Sequence, residues 1–172
     1  LQVINTARYF DKWETCKALS FFAEIKEFIP ETTLLSLEDL ECFLAKFEFS
    51  FVKSNYGSYG SEVMRIQRQG DYYICRAGGA DIREWSFTNT EDLYEFLVGE
   101  LGSYTILQRG ISLAKINQRI FDMRVLCQKD GKGQWNITAL NFRIAPKGGI
   151  VTNYAAGAEE VLVEPESAMP YS

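Results

Sequence analysis

The chain of 172 residues contains no histidine. Ser-His-Asp and Cys-His nucleophilic chemistry and histidine-ligated zinc are thereby excluded within it. Chemistry falls instead to lysine, arginine, aspartate and glutamate, the residues of phosphate handling and electrostatic positioning. Cysteine is sparse: Cys16, Cys42, Cys75 and Cys127 stand singly, with no CxxC pair and no metal-ligand spacing. No metal site is expected from them, and buried free thiols are favoured over disulfides. Positive charge is not in excess, since the formal net charge is −5 and the pI is 4.9. That balance leaves no electrostatic footprint for a phosphate backbone and argues against nucleic acid as a partner. Long apolar runs are missing as well, none approaching the ~20 residues that cross a bilayer. The opening LQVINTARYF has neither the basic nor the apolar region of a secretory leader, so a soluble intracellular chain without a membrane partner is expected. What is plentiful is core material, with 47% hydrophobic and 14% aromatic residues.

Asp11 with Glu14 three residues later opens a capping-box-like segment, and Trp13, Cys16, Leu19, Phe22, Ile25 and Ile29 follow at helical spacing up to Pro30. Ser36 with Asp39 opens a second helix carrying Leu37, Leu40, Leu44 and Phe47. From Phe49 the period changes to two, and FSFVK, VMRIQRQ, YYICRA and REWSF read as strands, the middle two joined by a Gly70-Asp71 turn. Asn89 and Thr90 cap a third helix that ends near Gly102, and YTILQ is the next strand. GISLAKINQR reads as a linker. IFDMRVLCQ and QWNITALNFRIA then flank KDGKG, a strong hairpin signal that begins a second sheet. The tail VEPESAMPYS reads as a frayed or cut end. The pattern predicts an α+β layout with two sheet-bearing lobes.

Lys53 closes its strand and is followed by Gly57 and Gly60, so it is either an edge lysine in water or an anion ligand beside a small-residue loop. Asp122 and Arg124 project from one strand face while Phe121, Met123 and Val125 take the other. They form either a cross-strand ion pair or a phosphate fork with an orienting carboxylate. Arg143 lies in the partner strand, where the hairpin register can bring it near Arg124 with an anion between the two. Asn153, in GGIVTNY, is either a turn cap or a hydrogen-bond donor to a substrate oxygen.

Read in order, RYFDKWETCKAL, IPETTLLSLEDL, FVKSNYGSYGS, ILQRGISL, FDMRVLCQKDGKGQW and RIAPKGGIVTN resemble the YheC/YheD family of endospore-coat-associated proteins, within the ATP-grasp superfamily. The resemblance implies residues 1–48 as a helical lead-in, 49–107 as a first lobe with a Gly-rich loop, and 108–172 as a partial second lobe. It implies ATP held between the lobes with Mg²⁺, Lys53 as the phosphate lysine, and Gly57, Ser58 and Gly60 in the covering loop. Gln108, Gly110 and Ile111 then fall in the hinge beside adenine. Asp122, Arg124, Arg143 and Asn153 fall on the phosphate and acyl-phosphate side, with Arg124 and Arg143 catalytic. The implied reaction is ATP-dependent carboxylate–amine ligation, in which ATP phosphorylates a carboxylate and a nucleophile displaces the phosphate. No Glu-x-Asn occurs in the chain, so the magnesium ligands are absent from it and the second lobe is expected to be incomplete. Two other readings stand beside the ligase. One is a catalytically inactive structural or interaction module with the same fold, partnered by spore-coat proteins. The other is an unrelated α+β binding domain. The resemblance places the protein in the cytoplasm or the spore coat.

Overall fold

The computed structural model describes residues 10–57, 62–78 and 80–163. They form an α+β fold of two compact units. The first comprises the described residues up to Ala77 together with Arg83–Ile111, and the second comprises Gly78–Ile82 and the described residues from Ser112 onward.

In the first unit, strands β1 (Thr32–Leu34), β2 (Ser50–Ser54), β3 (Val63–Gln69), β4 (Tyr72–Ala77), β5 (Arg83–Phe87) and β6 (Thr105–Arg109) form one sheet. Its order is β1-β6-β2-β3-β4-β5, and every neighbouring pair is antiparallel. Helices α1 (Lys12–Ser20), α2 (Leu37–Lys46) and α3 (Thr90–Leu101) complete the unit. All three helix starts follow the sequence signals, Asp11 Oδ1 accepting the Glu14 N–H at 2.9 Å. Ser36 Oγ accepts the Asp39 N–H at 3.1 Å, and Asn89 Oδ1 accepts the Asp92 N–H at 2.7 Å. Gly102, at φ +82° and ψ 170°, closes α3 in a positive-φ backbone conformation that glycine adopts readily. Leu40 and Leu44 of α2 and Leu93 and Leu97 of α3 share a buried cluster with Val52, Met64, Ile66, Cys75 and Leu107 of the sheet. Each such aliphatic side chain contributes about 1.5–3 kcal/mol on leaving water.

The first helix is shorter than its periodicity predicts. It stops at Ser20, and a separate 3-10 turn, Lys26–Phe28, follows before Pro30. The Phe21 N–H turns back to the Ala18 and Leu19 carbonyls, and Phe21 stands 89% exposed. No residue of α1 is fully buried, so nothing rewards the continuation of the 3.6-residue repeat beyond Ser20. Strand β1 escapes a local reading because it is three residues at a sheet edge, defined by its pairing with β6.

The second unit holds β7 (Lys115–Ile116), β8 (Arg119–Lys129), β9 (Trp135–Ile144) and β10 (Glu159–Leu162) in the antiparallel order β10-β9-β8-β7. The KDGKG turn forms as expected: Asp130 Oδ1 accepts the N–H groups of Lys132 at 2.8 Å and Gln134 at 2.9 Å, and Gly133 takes φ +78°. The presumed linker instead contains β7 and a two-residue turn in which Asn117 and Gln118 both have positive φ, 50° and 63°. Arg119 then fastens the sheet, donating to Ala145 O at 2.6 Å and to Glu159 Oε1 at 3.0 Å. The four cysteines are free, but only Cys75 is buried. Cys42 lies on the outward side of α2, and Cys127 lies past a bulge at Leu126/Cys127, where both faces of the hairpin are exposed. The expectation for the tail VEPESAMPYS falls, after Val163, outside the described residues.

Gln118 pays a left-handed backbone cost of about 1 kcal/mol that glycine does not. Gln118→Gly is therefore expected to raise stability by about 1 kcal/mol in denaturant titrations, and a neutral or negative change would count against this turn geometry.

Candidate functional site

With one face of the first sheet committed to α2 and α3, strand alternation turns the other set of side chains away from that core. One cross-strand row there runs Thr32, Gln108, Phe51, Arg65, Arg76, Glu84 through β1, β6, β2, β3, β4 and β5. Lys53, two residues beyond Phe51, points to the same face. Its Nζ donates to Gln108 Oε1 at 2.7 Å and lies 5.3 Å from the Phe51 ring centroid, while Gln108 Nε2 donates to Thr32 Oγ1 at 2.9 Å. Burial pushes the Lys53 ammonium below its ordinary value of 10.5; nearby Cys16 opposes this and the Lys12 charge adds to it. Among the described residues no carboxylate pairs with Lys53. A partly desolvated cation held by a neutral amide is poised for an anion.

The backbone after Lys53 is anchored from α1. Lys12 Nζ donates to Ser54 O at 2.9 Å, to Asn55 O at 3.0 Å and to Gly57 O. Asn55 is fully buried, and its Oδ1 accepts the Trp13 N–H at 2.9 Å. The Glu62 charge works on Lys12, and a Cβ at Gly57 would come within 3.0 Å of Glu62 Cβ. Ser58 and Gly60 lie outside the described residues. In the expected hinge, Gly110 donates its N–H to Phe49 O at 3.0 Å, and a Cβ on Gly110 would meet that oxygen at 2.6 Å and run into the Phe49 ring. Ile111 follows, 46% exposed.

In the second unit, register places Asp122 opposite Arg143 and Arg124 opposite Asn141. Arg143 grips Asp122 with two hydrogen bonds, Nε to Oδ1 at 2.8 Å and Nη2 to Oδ2, and Thr152 Oγ1 donates to Oδ2 at 2.6 Å. Asp122 itself therefore supplies the anion beside Arg143, where the sequence suggested an external one between two arginines. Burial pushes the Asp122 carboxyl up, but the Arg143 and Thr152 hydrogen bonds and the Arg143 and Arg124 charges outweigh it and hold it below 3.8. Arg143 is raised, chiefly by the same hydrogen bond. Arg124 makes no ion pair among the described residues. Asn153 precedes the 3-10 turn Tyr154–Ala156 without capping it by its side chain, which leaves its amide free of that role.

A family model described as YheC/D like ATP-grasp matches residues 1–170. The chain belongs to this family. It is 25% identical over 155 residues to the endospore coat-associated protein YheC of Bacillus subtilis (strain 168), covering 87% of this chain and 42% of that protein. It is 24% identical over 154 residues to the endospore coat-associated protein YheD of the same organism, covering 87% of this chain and 34% of that protein. The chain thus spans less than half the length of either relative. No solved structure matches it.

As a YheC/D-like ATP-grasp chain, it offers donors for an anion but little for a cation. Among the described residues no group of three or more Cys, Asp or Glu side chains is arranged to hold a metal. The described residues offer cationic and neutral donors to an anion, and no carboxylate cluster among them is arranged for Mg²⁺. Sequence reasoning missed Lys12, Arg65, Arg76 and Thr152. Lys12 and Thr152 act through long-range pairing that no local motif announces, whereas Arg65 and Arg76 were legible as outward positions of alternating strands.

Asp122 contributes stability that is fully present above pH 3.8 and is lost as pH falls through its lowered folded value. Asp122→Asn is expected to cost about 2 kcal/mol at neutral pH, with the deficit shrinking in acid, as read from urea unfolding at several pH values. A deficit independent of pH would remove the charge from this account.

Proposed function

We propose that the chain binds ATP, with Lys53 holding its phosphates on the polar face of the first sheet. The observation that carries this is the Lys53 ammonium, half-buried beside Gln108 with no carboxylate partner among the described residues. Gly57, Ser58 and Gly60 are assigned to the covering loop, whose small residues let backbone N–H groups approach phosphate. The adenine side is assigned to Gln108, Gly110 and Ile111. Because the Gly110 N–H is taken by Phe49 and the Gln108 side chain serves Lys53, backbone recognition there falls chiefly to Ile111. Asp122, Arg124, Arg143 and Asn153 are assigned to the phosphate and acyl-phosphate side, with Arg124 the cation left to meet developing charge and Asp122 orienting Arg143.

The wider reading is an ATP-dependent carboxylate–amine ligase when completed by a metal-binding segment. No step is assigned to Mg²⁺ from these residues. A second reading, a catalytically inactive structural or interaction module with the ATP-grasp fold, is favoured by a specific observation: Asp122 neutralises Arg143 internally. Spore-coat proteins as partners, and a location in the cytoplasm or the spore coat, rest on the names of the relatives.

Calorimetric titration with ATP and Mg²⁺ is expected to give a dissociation constant of about micromolar order, near −8 kcal/mol, that Lys53→Ala abolishes. Heat from neither protein would leave the structural module standing. A phosphate should also restore the depressed Lys53 pKa. At alkaline pH below 10.5, where the free protein binds fewer protons at this site than the complex, ATP binding is expected to take up protons. The readout is the dependence of binding heat on buffer ionisation enthalpy, and a heat that does not vary with the buffer would count against Lys53 as the phosphate ligand.

A further inference from the structure

We infer that Arg65 and Arg76 form, with Lys53, a second set of contacts for a polyphosphate on the polar face of the first sheet. The inference deepens the nucleotide reading and rests on it for the identity of the ligand, but its geometry is independent. Arg65 and Arg76 occupy directly opposite positions of β3 and β4. Like charges so placed destabilise a sheet. Arg76 has a carboxylate on its other side, Glu84, in β5. Arg65 makes no ion pair among the described residues. Its guanidinium is instead stacked on the Phe49 ring, 4.3 Å from the centroid, and Glu48 acts on it only as a more distant charge.

A guanidinium seated over an aromatic ring can still offer its N–H edge to a phosphate. Phe49 is itself held in place: it is buried, its ring meets Phe51 edge-on at 5.8 Å, and Gly110 leaves room for it where any side chain would not. Lys53 stands opposite Val63 while Phe51 stands opposite Arg65, so Lys53 and Arg65 are diagonal neighbours on one face. Such neighbours lie about 7–8 Å apart at the backbone; Lys53 leans to Gln108 and Arg65 to Phe49, so a ligand that meets both has to be extended, as a polyphosphate is. Three cations in adjacent strands with one hydrogen-bonded carboxylate, Glu84, favour a ligand with two or more adjacent negative charges over a lone carboxylate or a single inorganic phosphate.

The test is calorimetric titration of the whole chain with inorganic tripolyphosphate and, separately, with ATP, for wild type, Arg65→Gln, Arg65→Lys and Lys53→Met at two salt concentrations. Arg65→Gln is expected to weaken tripolyphosphate binding about tenfold or more, with a shallower salt dependence. Arg65→Lys is expected to recover part of the loss, as restored charge without the fork would. A folded Arg65→Gln protein that binds tripolyphosphate as wild type does overturns the inference, and if it also leaves ATP binding intact while Lys53→Met abolishes it, the nucleotide reading survives alone. Wild-type binding of tripolyphosphate without ATP binding keeps the arginine row and removes the nucleotide. Binding of neither ligand by wild type removes both. Should Arg65→Gln lose its circular dichroism signature, Arg76→Gln decides by the same criteria.

Discussion

Leu40, Leu44, Leu93 and Leu97 come to rest on Val52, Met64, Ile66, Cys75 and Leu107, and this one-sided burial is what the first unit depends on. A strand has a period of two, so fixing which residues face the helices also fixes which face away. A one-residue slip of β2 would carry Lys53 into the core and Val52 out of it. The apolar contacts, worth about 1.5–3 kcal/mol per side chain, thereby hold a charged row in register that would not assemble on its own account. The second face, which carries Lys53, Arg65 and Arg76 beside Phe49, Phe51 and Ile106, is a consequence of the first.

The two units handle charge differently. In the second unit Asp122 is satisfied threefold, by two bonds from Arg143 and one from Thr152, so that the group is a closed, self-neutralised cluster. In the first unit two cations are held by neutral or aromatic neighbours, Lys53 by Gln108 and Arg65 by a phenyl ring, while Lys17, Lys46 and Arg76 have carboxylate partners. Desolvated cations without counter-charge cost stability in the free chain and return it when an anion arrives. This asymmetry is why the functional assignment leans on the first unit, while the second unit supports the structural reading as readily as the catalytic one.

Much of the fold was legible because local chemistry and tertiary context agree. Ser36 and Asn89 cap the helices they announce, and Asp130 builds the turn its Asp-Gly pair predicts. The α1 boundary was not legible, since Phe22, Ile25 and Ile29 carry the right spacing and the residues around them meet no surface that would keep the helix going. Cys42 and Cys127 were misplaced for a related reason: composition says that thiols prefer interiors, and only register and facing decide whether a given one reaches there.

The candidate site divides along the same line. Absence of histidine, the Lys53 strand end with its glycines, and the family pattern were all properties of the chain as a string, because they depend on residue type and order. Which carboxylate Arg143 meets, that Gln108 turns its side chain and not its backbone to Lys53, and that Arg65 and Arg76 stand face to face were decided only by tertiary structure. Those contacts join strands distant in sequence, and strand pairing is set by burial of the whole sheet and not by any neighbourhood along the chain.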